Sequence, residues 1–411
     1  MSVAIDYDTV LTPNLPGPAG RFGGFPRYNF VGGHNAPESI PVNAFIAAVQ
    51  RVLAREGSTL ATYGLESGPQ GYRPLREFLV EKLQRDAGVI CTPDDLLITS
   101  GSLQGLDLVN DILLQPGDTV VSELFSYGGA ISRMRKKGAS VVGVPLDEHG
   151  LRMDALDEAL ADLKAKGVTP KYIYTIPTVQ NPTGSILPED RRREMLRLSA
   201  EYGVPIFEDE CYSDLVWSGA RPPALYALDR AEGGNRVIHI GSFSKSIAPA
   251  LRIGYILAEW PLLSRLLAIK TDGGSGALEQ MVLAEFCSDS FQGHVTELNG
   301  LLQTKLDALL DALSEQFGTE AEFSRPPGGI FLWVKLPEQV DTLALYKAAA
   351  AEGVAINPGP EWSVEAAPAA SSLRLCFANP SVETIREGVA KLAEICHREF
   401  GVPTRGANIE R

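Results

Sequence analysis

Residues 236–257 read RVIHIGSFSKSIAPALRIGYIL, two apolar runs on either side of a polar segment. RVIHIG (236–241) and IGYIL (253–257) have the length and the β-branched and aromatic content of strands. Between them lies Lys245, one amine among hydroxyls and a glycine and flanked by apolar residues, where a surface lysine would sit among charges. Upstream, short apolar runs of the same kind recur at LLIT (96–99), TVVS (119–122), SVVGV (140–144), YIYTI (172–176) and VPIFED (204–209). Helical patterns separate them at Gly105–Leu114, Met153–Lys166 and Pro188–Tyr202. The last opens with proline and acidic residues, as helix starts prefer. Seven nearly apolar strands interleaved with helices predict an α/β fold with a mostly parallel sheet covered on both faces. A sheet of that kind carries its site at the carboxyl ends of its strands.

Toward the termini the style changes. Residues 1–40 are rich in proline, glycine and aromatics without periodicity and read as an extended arm. Helices are expected over Asn43–Arg55 and Arg73–Arg85, with a glycine-rich loop between them. After Ser290 a long helical pattern, His294–Phe317, precedes EFSRPPGGIFLWVKL (322–336), a helix at 341–351, SSLRLCFAN (371–379) and a final helix at 382–399. The expected organisation is therefore an arm (1–42), a large domain (43–290) and a smaller α+β C-terminal domain (291–411). No repeat or low-complexity tract is visible.

Composition narrows the function. Among 411 residues, Lys plus Arg number 37 and Asp plus Glu 51, a formal charge of −14 that disfavours a nucleic-acid partner. The amino terminus, MSVAIDYDTV, has neither a basic nor an apolar signal region, so no secretory signal is expected. The longest uncharged stretch, Tyr172–Pro188, carries three prolines and is no membrane helix. Five scattered cysteines without a CxxC pair argue against a disulfide framework or zinc site and for a reducing cytoplasm.

Neither a GxGxxG nor a GxxxxGK[ST] motif follows any strand. Ser242-Phe243-Ser244-Lys245 matches the S-x-x-K signature of serine acyl enzymes, yet the SDN and KTG that accompany it are absent from the chain. What remains is a set of polar residues at strand ends. Thr99-Ser100-Gly101-Ser102 opens a helix, where free N–H groups form an anion site suited to phosphate. Asp209 ends VPIFED, and Lys245 follows RVIHIG. Singly these are also what a helix cap, a loop charge and a solvated lysine look like. Together, a phosphate cradle, a lone carboxylate and a lone lysine match the needs of pyridoxal phosphate. The lysine forms a Schiff base with the cofactor aldehyde, the carboxylate pairs with the pyridinium nitrogen, and the ring becomes an electron sink.

The chain also resembles the fold-type I, class I/II aminotransferases from about Asn29 to Phe400, and most of all their aminoadipate/kynurenine-aminotransferase-like branch. The motifs are Tyr63-Gly64-x-x-x-Gly68, Thr99–Ser102, the Asn181-Pro182-Thr183-Gly184 turn, Asp209-Glu210-Cys211-Tyr212, Ser242–Lys245 with Arg252 seven residues on, PPGGIFLW (326–333) and LRLCF around Arg374. The resemblance implies that Lys245 is the Schiff-base lysine and proton shuttle, and that Asp209 holds the pyridine nitrogen. It implies that Asn181 and Tyr212 bond the ring 3-oxygen and that Tyr127 stacks on the ring. Ser102, the Leu103 backbone, Ser242, Ser244 and Arg252 would bind the phosphate, with Tyr63 reaching the phosphate of a neighbouring subunit in a homodimer with shared sites. Arg374 would take the substrate α-carboxylate by a two-pronged contact, for which guanidinium is suited. Gly33, in FVGGHN, resembles the arm position that approaches the substrate. Cys211 and Cys376, beside site residues, are expected only to pack.

Two departures stand out. Many relatives have E-x-P-x-Y or E-P-x-Y before the stacking tyrosine, where this chain has Glu123-Leu124-Phe125-Ser126-Tyr127, and many have glutamine at Leu103. The expected function is transfer of an amino group from an α-amino acid to a 2-oxo acid. Its rivals are another pyridoxal phosphate reaction (elimination, replacement or carbon–carbon bond formation) and a ligand-sensing regulator. The last resembles this fold fused behind a winged-helix DNA domain, whereas only a short arm precedes it here.

Overall fold

The computed structural model describes residues 4–13, 15 and 17–404. Its central sheet has seven strands: β1 (Leu96–Thr99), β2 (Thr119–Glu123), β3 (Ser140–Val144), β4 (Ile173–Thr175), β5 (Ile206–Asp209), β6 (Val237–Ser242) and β7 (Gly254–Leu257). Their order across the sheet is β1-β7-β6-β5-β4-β2-β3. From β6 to β3 every neighbouring pair is parallel, whereas β7 runs antiparallel to both β1 and β6. Side chains alternate between faces along a strand, and both faces here are apolar. Leu97, Phe207, Ile238, Ile240 and Ile256 join one core cluster, while Leu96, Ile98, Ile206, Val237 and Leu257 join the other. That is why the strands read as continuous apolar runs.

The covering helices are α1 (Val42–Glu56), α2 (Arg73–Ala87), α3 (Ser102–Leu113), α4 (Gly128–Lys136), α5 (Met153–Ala165), α6 (Glu189–Tyr202), α7 (Leu225–Ala231) and α8 (Trp260–Ile269). α4, α7 and α8 have 9, 7 and 10 residues, too few turns for their periodicity to stand out in the sequence.

The next helix corrects an expectation. α9 (Ala277–Phe317) has 41 residues, where the pattern predicts a start at His294. At 1.5 Å per residue it is about 60 Å long. It passes through position 290 unbroken, so the expected boundary between the two domains falls inside a helix. Gly293 and the neighbouring serines weaken the helical signal there, glycine by about 1 kcal/mol relative to alanine. Burial of Phe286, Cys287, Phe291 and Val295, as α9 packs on α1 and α2, outweighs that cost.

Beyond α9, β8 (Phe331–Lys335), β9 (Asn357–Pro358) and β10 (Ser372–Cys376) form an antiparallel sheet in the order β8-β10-β9. α10 (Thr342–Ala351) and α11 (Val382–Phe400) accompany it, and α11 lies along α9. The arm is not wholly irregular. Tyr28–Asn29 pairs in parallel with Val354–Ala355, which steers the residues that follow toward the end of the central sheet. Among the described residues no helix is long and apolar enough to cross a membrane.

Candidate active site

The carboxyl ends of β1, β4, β5 and β6, the amino end of β7, the arm and the C-terminal sheet enclose a cavity of about 470 Å³. Of the residues singled out in the sequence, Gly33, Ser102, Leu103, Tyr127, Asp209, Tyr212, Ser244, Lys245, Arg252 and Arg374 line it. Asn181 and Ser242 stand one hydrogen bond behind this lining. Tyr63 does not. It is 92% exposed and lines a separate cavity of about 780 Å³ with Lys270 and Gly273.

Lys245 stands three residues beyond the end of β6. Asn35 Nδ2 donates to its carbonyl at 2.6 Å, and its own Nζ donates to the Gly33 carbonyl. A Cβ on Gly33 would lie 3.1 Å from that amine, so any larger residue there would push on the Lys245 side chain. Enclosure lowers the Lys245 pKa below the ordinary lysine value, because a charged ammonium there loses its water; the Arg374 and Arg252 charges act in the same direction.

Asp209 closes β5. Its Oδ2 accepts the Tyr174 hydroxyl at 2.7 Å and its Oδ1 the Cys211 N–H at 3.2 Å. Burial nonetheless raises its pKa, since these two bonds do not replace the lost water. No cation pairs with it among the described residues.

At β1 the chain turns through Gly101, with φ of 78°, directly into α3. No side chain caps this start, so the first N–H groups of α3 are left for an anion. Arg252, itself in the left-handed region at φ 55°, lies across the turn and donates from Nη2 to the Ser100 carbonyl at 3.0 Å. A Cβ on Gly101 would run into this guanidinium. On the other side the Ser244 N–H donates to Ser242 Oγ at 3.1 Å.

Arg374 projects from the middle strand of the C-terminal sheet. Nη1 donates to Asn181 Oδ1 at 3.1 Å and Nη2 to the Val31 carbonyl at 3.3 Å. Its guanidinium lies 3.5 Å from the centre of the Trp362 ring and 5.1 Å from that of Phe331, and its buried Nε has no partner. Asn181 Nδ2 also donates to the Tyr212 hydroxyl at 3.1 Å, and Tyr127 tilts against Trp362 at 5.9 Å.

The family model described as aminotransferase class I and II matches residues 32–392. The chain belongs to the class I and II aminotransferases. It is 36% identical over 366 residues to the 2-aminoadipate transaminase of Thermus thermophilus, covering 89% of this chain and 88% of that one. To the aromatic-amino-acid aminotransferase 1 of Thermococcus litoralis it is 34% identical over 375 residues, covering 90% and 88%. Among solved structures, the α-aminoadipate aminotransferase of Thermus thermophilus complexed with N-(5'-phosphopyridoxyl)-L-leucine superposes with a TM-score of 0.83 at 34% identity, covering 91% of this chain and 93% of that one. This aminotransferase therefore has the fold-type I architecture and uses pyridoxal phosphate to move amino groups between amino and oxo acids.

The residues present fit that cofactor. Around one cavity the aminotransferase offers a buried carboxylate that no cation pairs with among the described residues, an uncapped helix start beside an arginine, and an enclosed amine. Sequence reasoning overlooked Tyr174, Trp362 and the Val31 carbonyl. Tyr174 meets Asp209 only through the pairing of β4 with β5, and Trp362 meets Arg374 only through the folding of the loop that follows β9. No spacing along the chain announces either. Cys211, expected only to pack, also lines the cavity.

Proposed function

We propose that Lys245 is the amine that holds the cofactor and shuttles the proton during transamination. The convergence of Lys245, Asp209 and Arg374 on one cavity supports this reading most directly. Bound pyridoxal phosphate supplies an electron-withdrawing ring that stabilises negative charge at the substrate Cα. Asp209 keeps the ring nitrogen protonated, and Tyr174 and the Cys211 N–H hold that carboxylate in one orientation. Asn181 and Tyr212 would bond the ring 3-oxygen, and Tyr127 would cover the ring. Ser102, the Leu103 N–H, Ser242, Ser244 and Arg252 would hold the phosphate. Arg374 receives the α-carboxylate through two N–H groups of its planar fork. Because its pKa is lowered, the Lys245 amine is neutral more often than an exposed lysine at neutral pH, and it would carry a proton between the substrate Cα and the bound cofactor.

The same reading makes the protein a homodimer in which Tyr63, an almost fully exposed tyrosine, completes the partner's phosphate site. It places the protein in the cytoplasm, in keeping with five unpaired cysteines. Borohydride reduction of the holoenzyme should fix the cofactor to the peptide containing Lys245, and label on another lysine would refute the assignment. The donor panel should include 2-aminoadipate and aromatic amino acids, after the relatives' names. A true donor, supplied without oxo acid, should leave one equivalent of pyridoxamine phosphate. Catalytic release of a side-chain leaving group, with no pyridoxamine phosphate from any donor, would instead favour elimination or replacement.

A further inference from the structure

Glu123 ends β2 behind the cavity wall and is 1% exposed. No cation pairs with it among the described residues, yet its two oxygens accept four hydrogen bonds. Oε1 takes the Thr175 hydroxyl at 2.6 Å and the Ile176 N–H at 2.9 Å. Oε2 takes the Ser126 hydroxyl at 3.0 Å and Gln180 Nε2 at 3.3 Å. These donors come from three separate segments. Ser126 precedes Tyr127, Gln180 precedes Asn181, and Ile176 itself lines the cavity.

The segments are also tied to one another. Gln180 Nε2 donates to the Phe125 carbonyl at 2.7 Å, and the Ser126 N–H donates to the Trp362 carbonyl at 3.0 Å. Thus the loop that carries Tyr127 is fastened to Trp362, whose ring backs Arg374, and to the turn whose Asn181 holds Arg374 Nη1. Phe125 packs on Trp333, and the Ser126–Glu123 bond pins the backbone.

We propose that Glu123 is a positioning residue for transamination, a buried hub that sets the Tyr127 wall, the Asn181 turn and the Arg374 guanidinium in register. This rests on the roles given above to Tyr127, Asn181 and Arg374. Four donors facing two oxygens, with no donor required of the side chain, are satisfied by the ionised carboxylate alone. Burial opposes that ionisation and pushes the Glu123 pKa up to about 7. Tyr174, on β4, is the titratable neighbour whose own ionisation Glu123 disfavours. The hub is consequently intact on the alkaline side of neutrality and weakened on the acid side.

The test uses the holoenzyme of Glu123→Gln. Glutamine keeps the size but turns an NH2 group toward two of the donors. Cofactor content should be retained, kcat/KM should fall by about 10- to 100-fold and KM should carry most of the loss. The wild-type kcat/KM should decline as pH drops through about 7, and that limb should flatten in the variant. Visible circular dichroism of the bound cofactor, which reports the ring's asymmetric surroundings, should also change. A lower melting temperature with unaltered kinetics, pH profile and dichroism overturns the proposal and leaves Glu123 a structural acid. If the variant fails to fold, Ser126→Ala and Thr175→Val each remove one donor. Each should reproduce a few-fold loss in the same direction, and no change in either has the same refuting force. Failure of the underlying site reading is a separate result: a label away from Lys245, or an Arg374→Lys variant with unaltered kcat/KM.

Discussion

Arg374 brings a full positive charge into a wall of aromatic rings. Burial pushes its pKa below the ordinary arginine value, its Nε has no partner, and no carboxylate pairs with it among the described residues. Such a group is stabilised by a bound carboxylate far more than an exposed one would be. Arg374→Lys should accordingly lower kcat/KM by about 10- to 100-fold, the weight of one hydrogen bond to a charged group, while cofactor affinity stays within a few-fold. Steady-state kinetics beside a cofactor titration separate the two. Asp209 presents the opposite case, a carboxylate whose burial disfavours its own charge until a cation arrives. Asp209→Asn should keep the fold and part of the cofactor affinity but lose about a hundredfold or more in kcat, because a neutral amide cannot hold the ring nitrogen protonated. Turnover near the wild-type value would refute that role.

At the scale of the element, α9 gives the clearest prediction. Gly293 is exposed in the middle of the helix, and a Cβ there would meet nothing within 4 Å. Gly293→Ala should raise stability by about 0.5–1 kcal/mol, seen as a higher melting temperature at unchanged activity. The same glycine explains what the sequence could and could not disclose. The strands were legible because a doubly covered sheet demands mostly apolar residues on both faces, and Lys245 and Asp209 because they stand at the ends of such runs. The continuity of α9 was illegible because Cys287, Ser288, Asp289, Ser290 and Gly293 are weak helix formers, and packing against α1 and α2 keeps that stretch helical. Tyr174 and Trp362 were illegible for a related reason. Cross-strand pairing and loop closure bring them to Asp209 and Arg374, and neither leaves a periodic trace. Glu123 stood in plain view as a motif residue, but the number of its donors is a property of three segments at once.

At the scale of the whole molecule, Tyr63 is the residue whose proposed role needs a second copy of the chain. Tyr63 lies apart from the cavity that holds Lys245, on a surface with Leu60 also exposed. In the proposed dimer, mixing Lys245→Ala subunits with Tyr63→Ala subunits pairs one doubly damaged site with one intact site in each hybrid. Random exchange at equal amounts should restore about a quarter of wild-type activity, as two-fold symmetry requires. A fully active monomer in sedimentation would rule the shared site out. Within each chain the most consequential choice is the reversed direction of β7. Ser242 and Gly254 are paired across the ladder, so residues 243–253 form a loop whose two ends are locked in register. Lys245 hangs near one end of this loop and Arg252 near the other. The loop therefore behaves as a caliper with fixed jaws, amine on one and guanidinium on the other, its opening set by backbone pairing rather than by side-chain packing. On the opposite wall, residues of the arm and the C-terminal strands other than Gly33 and Arg374 can be exchanged to suit a different amino acid without resetting that opening.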